Sequence, residues 1–569
     1  MSDRRMRLGL AGLALVGLVV GACAGVPTTG PVTFHTPPPA RIASEVVVAP
    51  LPPTDGADSS LIVDGFLHAM SVYQPDQPDY AIARQYLTAD ASASWRPDAG
   101  VQIYADGSPP TLVEDDVVLA APLVGTLNER GEYTPTPGQR VRHDFDLVRE
   151  SNQWRISNPP QGLLISRYLF ASGYVGVDLH HLDTSGTVLI PEPIWVPAGA
   201  EQSARVLQAQ LAGPGRWLAP ATMAVPALRL EGSTVAQGTA VVQVSGASGL
   251  SAEQRRAALL GLVATATQLG GVSQVEVVAN GSAWTLPGHV GSTFTAHDIA
   301  GVAPAPAESA SVLVVASGGR VQTTSAQAPN QGSSTVAVGI HDPVAVAAIT
   351  RRGTAAAVVA GGKSLVVSSF GGAGATQVRV GEGLLRPQFS RTGELWTATA
   401  SGVASIRVFQ GVGALEASAV DPPTGRLVAF SLSPDGNRLA AAVEGKAGVE
   451  VGLLRVEREG QSVRLNGWHP LVLSSAEETG VIDLGWSAPT ELLLLVADAR
   501  SATSVVRASQ DGAVSSDIGP SVTSGFVELA ASPAHQALLR SDSGAVYRFD
   551  ADFSWTLWMT DVTAVAFAQ

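Results

Sequence analysis

A chain with a single cysteine has one place for thiol chemistry, and here it is Cys23. It follows Val20, Gly21 and Ala22, so an aliphatic residue and two small ones present the thiol with little obstruction. No intramolecular disulfide and no cysteine-rich zinc site can be built from it. Other chemistry-bearing groups are less complete. His180-His181 with Asp183 offers metal-ligating atoms, but adjacent strand residues point to opposite faces, which keeps the two rings from one ion. Asp550, Asp552 and Ser554 begin like a calcium loop, and Trp555 stands where the loop needs glycine. Gly361-Gly362-Lys363 lacks the first glycine of a phosphate loop, with Ala357 in its place. No serine has glycine two positions away on both sides, and no His-Glu-x-x-His occurs. Asp435, Asp483 and Asp542 could face a common channel, although nothing in the sequence pairs them. Glu114-Asp115-Asp116 reads as a solvated turn. No catalytic, cofactor-binding or metal-binding residue is expected, and no enzyme activity.

The elements around Cys23 give it meaning. Arg4, Arg5 and Arg7 precede an uncharged apolar run from Leu8 to Val20, the layout of a signal peptide over residues 1–22 and shorter than the ~20 residues of a spanning helix. Val20-Gly21-Ala22-Cys23 resembles a bacterial lipobox. That resemblance implies cleavage between Ala22 and Cys23, then S-diacylglycerol and N-acyl groups on Cys23. Two or three acyl chains anchor stably where one does not. The expected location is the extracytoplasmic face of the cell membrane. No later segment approaches a membrane span.

Acidic residues outnumber basic ones, 49 to 35, for a net charge of -14. Residues 1–22 contribute three arginines and one aspartate, so their removal takes the net charge from -14 to -16. An acidic chain without a basic run is repelled by phosphate backbones, which excludes nucleic acid as a partner.

At 569 residues the chain is too long for one core, and its composition shifts mark the divisions. Residues 23–59 carry Pro37-Pro38-Pro39 and Pro52-Pro53 among small polar residues and read as an extended tether. A first α+β domain is expected over 60–180. Ile62, Val63, Phe66, Leu67 and Met70 recur at helical spacing, with a short helix from Tyr80 to Leu87. Strands follow at Leu112–Leu127, Val141–Arg149 and Trp154–Ser157, as an antiparallel sheet. The order resembles nuclear-transport-factor-2-like domains, with Trp154 read as core. A second α+β domain is expected over 186–290. It has a strand at Thr187–Ile190, a helix over Glu201–Leu211, strands near Thr234 and Ala240–Val244, and a helix opened by the capping box Ser251–Gln254. Val275–Val278 and an Asn280-Gly281 hairpin turn close it. This order resembles the GerM domain of exported proteins.

Beyond an Ala/Pro/Ser-rich linker, residues 311–569 are read as all-β. A Ser or Thr after an apolar residue recurs at positions 350, 390, 433, 487 and 532, spaced by 40, 43, 54 and 45 residues. A four-stranded unit of ~40–50 residues is a propeller blade. Leu432-Ser433-Pro434-Asp435-Gly436 resembles the turn of WD40- and TolB-like propellers. Val562–Ala568 is an innermost strand with no blade after it, and Val312–Ala316 opens a blade lacking one. Their pairing would close the ring and hide both edges. Six blades are expected, with five or seven left open.

Lipobox, tether, α+β domain, GerM-like domain and propeller occur together in the actinobacterial lipoprotein family LpqB. The matching segments are Asp79-Tyr80-Ala81-Ile82-Ala83-Arg84, Trp154-Arg155-Ile156-Ser157-Asn158-Pro159-Pro160, Gln210-Leu211-Ala212-Gly213-Pro214, Trp217-Leu218, and Trp558 with Val562–Phe567. The resemblance implies an envelope-side accessory of an MtrAB-type two-component system, contacting the extracytoplasmic domain of a sensor histidine kinase of the MtrB type in cell-envelope homeostasis and division. An envelope glycan or peptidoglycan is the alternative partner, and a propeller hydrolase a more distant reading.

Acylation of Cys23 has a direct test. The mature chain is expected in the membrane fraction with labelled fatty acid attached, and Cys23→Ser is expected to release it unlabelled. A wild-type chain recovered in the soluble fraction contradicts the reading.

Overall fold

Burial follows the apolar periodicity, and it gathers the chain around two α+β cores and a ring of sheets. The computed structural model describes residues 49–71, 80–114, 116–304, 311–316, 321–327, 334–336, 344–350, 355–360, 362–369, 375–411, 413–472, 480–520 and 525–568. Cys23, the signal peptide and most of the 23–59 tether lie outside them. Ala49–Gln569 forms one compact unit.

In the first core, the helix Ser59–Ser71 buries Ile62, Val63, Phe66, Leu67 and Met70 on one stripe, as its spacing predicts. It packs on a curved six-stranded sheet that includes Thr111–Val113, Asp116–Leu127, Val101–Tyr104 and Leu163–Ser166. Phe66, Trp95 and Phe145 fill the sheet's inner side, with Phe66 5.4 Å from Trp95 and 6.4 Å from Phe145, centre to centre. Three expectations change here. Val141–Arg149 is two strands, Arg140–Asp144 in the sheet and Leu147–Glu150 paired with Gln153–Ile156 in a separate hairpin. Leu112–Leu127 is not one strand: Glu114, at φ 56°, reverses the chain into a hairpin. The sheet is also mixed, because Val101–Tyr104 runs parallel to Leu163–Ser166. Trp154 is half-buried, with the Arg149 guanidinium 4.6 Å from its ring centre.

The second core begins earlier than residue 186. Tyr174–Leu182 pairs antiparallel with Leu189–Pro197, and Val177, Leu179 and Leu182 belong to the second cluster of buried side chains. The strand runs straight through Pro191 and Pro193, where the sequence suggests an end. These residues sit on the outer strand of a two-stranded sheet, where a missing N–H breaks no ladder. A five-stranded sheet includes Arg229–Ala236, Thr239–Ser245 and Gln274–Ala279, the last two parallel and joined by the helix Ala252–Ala266. Ser251 and Gln254 close the capping box that starts this helix. Asn280 and Gly281, at φ 52° and 77°, make the hairpin turn. The Tyr174–Leu182 strand lies so close to the helix that a Cβ at Gly261 would stand 2.3 Å from the His180 carbonyl oxygen. Gln210 and Thr265 satisfy the His180 backbone there: its N–H donates to Gln210 Oε1 at 2.9 Å, and Gln210 Nε2 donates to its carbonyl at 2.8 Å.

From Ser311 onward, four four-stranded sheets and one eight-stranded sheet account for the described strands. The eight-stranded sheet is two blades fused at their outer edges, where Gly413–Ala419 runs parallel to Ser462–Leu471. Counting it as two gives six units. Their first strands (Val562–Phe567, Val344–Ile349, Gln388–Phe389, Arg426–Leu432, Gly480–Ala488 and Phe526–Ser532) contact one another in ring order. The ring closes by antiparallel pairing of the C-terminal strand with Ser311–Ala316, Val312 opposite Phe567 and Val314 opposite Val565. Of the recurring Ser/Thr positions, 350, 390 and 433 directly follow a first strand, and Ser487 and Ser532 stand in the last residues of one, each ahead of the turn to the second strand. In the fourth blade the Ser433 hydroxyl accepts from Arg438 N–H at 3.0 Å and Gly436 N–H donates to the Ser433 carbonyl at 2.8 Å.

Candidate functional site

The second α+β core is fastened to one face of the ring by a charge withdrawn from water. Arg438 follows the Ser433-Pro434-Asp435-Gly436-Asn437 turn, and its side chain and that of Asp435 are wholly buried. Its guanidinium pairs with Asp435, donates to Gln510 Oε1, reaches the Pro191 carbonyl at 3.1 Å and the Pro489 carbonyl at 3.0 Å, and lies 5.2 Å from the Trp486 ring centre. Pro191 belongs to the second core; the other partners come from the fourth and fifth blades. In a meander of antiparallel strands, turns after first and third strands share a face. Arg438, Pro489 and Gln510 all sit at such turns.

Further bonds widen the junction. Trp195 Nε1 donates to Asp511 at 2.8 Å, Thr490 Oγ1 donates to Asp178 at 3.0 Å, and Trp217 Nε1 donates to the Gly467 carbonyl at 2.6 Å. Arg455 donates to the Trp217 carbonyl. Burial pushes the Asp178 carboxyl up to about 6, with Asp511 adding to the rise and Thr490 and Arg438 opposing it.

The same hairpin also meets the first core. Trp195 N–H donates to the Gly131 carbonyl at 2.8 Å, and Ala198 N–H to that of Gly173 at 2.8 Å. Gly131, at φ 83°, is a position only glycine can fill, since a Cβ would lie 2.4 Å from the Trp195 oxygen. Arg130 pairs with Glu132 at 2.8 Å and reaches the Gly213 carbonyl at 2.5 Å. Between these ties lies a cleft of about 590 Å³, within the ~300–1,000 Å³ of small-ligand pockets. Tyr80, Val101, Leu127 and Tyr174 line it from the first core, Trp195 of the hairpin packs against that core, and Gln208 lines it from the second.

The residues suggested by sequence are dispersed. His180 faces the long helix, with Nδ1 3.4 Å from Thr265 Oγ1, and burial pushes its imidazole down to about 3, leaving it neutral. His181 turns to Glu192, Nε2 to Oε2 3.3 Å. Burial works to raise Glu192, but His181, the Gly215 amide and Arg130 outweigh it and hold the carboxyl below its usual range. Asp183 accepts from Thr187 and Val188 N–H at 2.8 and 2.9 Å within its own turn. These three side chains do not converge. Asp550 pairs with Arg548 at 2.8 Å and Asp552 with Arg507 at 2.7 Å, on a hairpin turned by Phe553. Lys363 pairs with Glu382 at 3.1 Å, and Gly361 lies outside the described residues. Asp116 does not sit in a solvated turn; it opens a strand and brings a carboxylate oxygen within 4.8 Å of those of Asp144 and Asp146. Asp115 lies outside the described residues.

The ring centre holds one suggested carboxylate. Asp483 pairs with Arg386, whose side chain crosses to donate to the Leu529 carbonyl at 2.7 Å. Around them lie Ala348, Ala530, Ala531 and Ala566, and the free volume is about 10 Å³, at the lower limit for one water. Asp435 is consumed by Arg438. Arg438 itself escaped the sequence reading; its one signal was an arginine opening the strand Leu439-Ala440-Ala441-Ala442-Val443 directly after a propeller turn. Among the described residues, no helix is long and apolar enough to cross a membrane.

Residues 52–171 match the family described as "Lipoprotein LpqB, N-terminal domain", 178–284 that described as "Sporulation and spore germination", and 329–565 that described as "Lipoprotein LpqB beta-propeller domain". Lipoprotein LpqB of Cutibacterium acnes is 30% identical, with 99% of each chain covered. Lipoprotein LpqB of Streptomyces avermitilis is 26% identical, covering 99% of this chain and 98% of the relative. Among solved structures, TolB from Acinetobacter baumannii is similar over 45% of this chain and 66% of its own, at a TM-score of 0.34 and 14% identity.

Asp178 makes the junction sensitive to pH. A carboxyl raised by folding adds stability below its unfolded value near 3.9, and loses that contribution as pH climbs through about 6. Asp178→Asn removes the buried charge and keeps an acceptor for Thr490. Its advantage over wild type should be near zero at pH 4 and reach about 1–3 kcal/mol at pH 8, toward the lower end because Asp178 keeps some water contact. Denaturant unfolding at both pH values checks this, and an advantage that does not grow with pH contradicts it.

Proposed function

The chain belongs to the LpqB family of lipoproteins, and on that premise we propose that it is a lipid-anchored protein of the outer face of the cell membrane that regulates a sensor histidine kinase of the MtrB type. The relation to an LpqB lipoprotein over 99% of both chains carries this reading. Acyl groups on Cys23 hold the protein at the bilayer, and the 23–59 tether sets the reach of the domains beyond it. The protein acts by binding, not by catalysis. The ring centre is filled, and the carboxylates nearest it are paired with arginine.

Regulation requires unequal affinity for two states of the partner; equal affinity shifts nothing, however tight. A body whose modules are fastened at Arg438 and Gly131 suits this, because a rigid surface fits one partner geometry at the expense of another. The Ala49–Gln569 unit is expected to capture the purified extracytoplasmic domain of the kinase, and to alter autophosphorylation when both are placed in one membrane. Failure to bind at tens of micromolar, with both proteins folded, removes the kinase reading.

A further inference from the structure

The cleft between the two α+β cores is assembled as if for a ligand, and its polar groups narrow the ligand's chemistry. Its walls are pinned on both sides by backbone bonds, Trp195 N–H to Gly131 and Ala198 N–H to Gly173, so little ordering remains to oppose binding. Tyr174 lines it with its ring mostly buried, and its hydroxyl opens to the cleft with no hydrogen-bond partner among the described residues. Burial raises this phenol above its usual range, so the hydroxyl stays protonated and can donate. The exposed Gln208 amide also lines the cleft with no side-chain hydrogen bond among the described residues, and so does the exposed Glu129 carboxylate, which lies within electrostatic reach of Arg96. Other charges are already matched: Arg96 with Asp98 at 3.1 Å, Arg205 with Glu201 at 3.3 Å, Arg130 with Glu132 at 2.8 Å.

That inventory excludes a polyanion, since no cation is left uncompensated by these pairs and Glu129 adds a negative charge. It suits a ligand with many hydroxyls, each both donor and acceptor, and with C–H faces that can lie on the rings of Tyr80 and Tyr174. We propose that the cleft is a binding site for an uncharged saccharide segment, held by Tyr174 Oη, Gln208 and Glu129 against the two tyrosine rings. This goes beyond the kinase reading and does not depend on it.

Calorimetry on the Ala49–Gln569 unit tests it, with chitotriose and maltotriose as probes for acetamido and plain glucose chains. Saturable binding of at least one is expected. Tyr174→Phe, which keeps the ring, should weaken it by about 3- to 10-fold, the loss of one hydrogen bond. Ala212→Trp, placed on the exposed end of the helix that lines the cleft, should abolish binding without lowering the unfolding temperature. No saturable binding by either sugar up to solubility overturns the proposal. So does binding that survives both substitutions. Failure here leaves kinase capture untouched, because that experiment contains no sugar.

Discussion

The guanidinium of Arg438 occupies a place where it would be intolerable alone. A buried charge without partners costs several kcal/mol, and here it is met by Asp435, Gln510 and two proline carbonyls drawn from three parts of the chain. Undocking the second core would strip away the Pro191 carbonyl and admit water to the rest. Such a site adds little net stability over a well-packed apolar one. Its effect is selective: the observed placement of the hairpin brings the Pro191 carbonyl to the cation.

The hairpin carries that constraint outward. Pro191 is held by Arg438; three residues further, Ile194 is fully buried, and then Trp195 bonds to Asp511 through its ring and to Gly131 through its backbone. One strand therefore links propeller, second core and first core. The cleft lies where that strand leaves the first core, so its shape inherits the register set at the ring. Rigidity is what the kinase reading needs of the whole body and what the saccharide reading needs of the cleft.

Much of the fold was legible in the sequence because it is written locally. The Ser251–Gln254 capping box, the Asn280-Gly281 turn, the recurring Ser/Thr before each second strand and the unpaired C-terminal strand all declare themselves within a few residues. What stayed hidden depends on distant neighbours. Pro191 and Pro193 look like strand breakers until the strand proves to be an outer one. Glu114 looks like part of a solvated run inside one long strand until the hairpin forms. Asp435 was visible as a turn residue, but Arg438 and Pro191 are 247 positions apart, and no spacing rule connects them. The cleft is hidden for the same reason, as two separate cores line it.

These modules form one body locked at Arg438. The sole cysteine, Cys23, lies outside the Ala49–Gln569 unit, so paired spin labels can be placed on Val235→Cys in the second core and Arg500→Cys in the fifth blade, both exposed. Pulsed dipolar spectroscopy should return one narrow distance distribution, which Arg438→Ala broadens while the propeller stays folded. A broad distribution in the unsubstituted unit, or a narrow one that Arg438→Ala leaves unchanged, would contradict it.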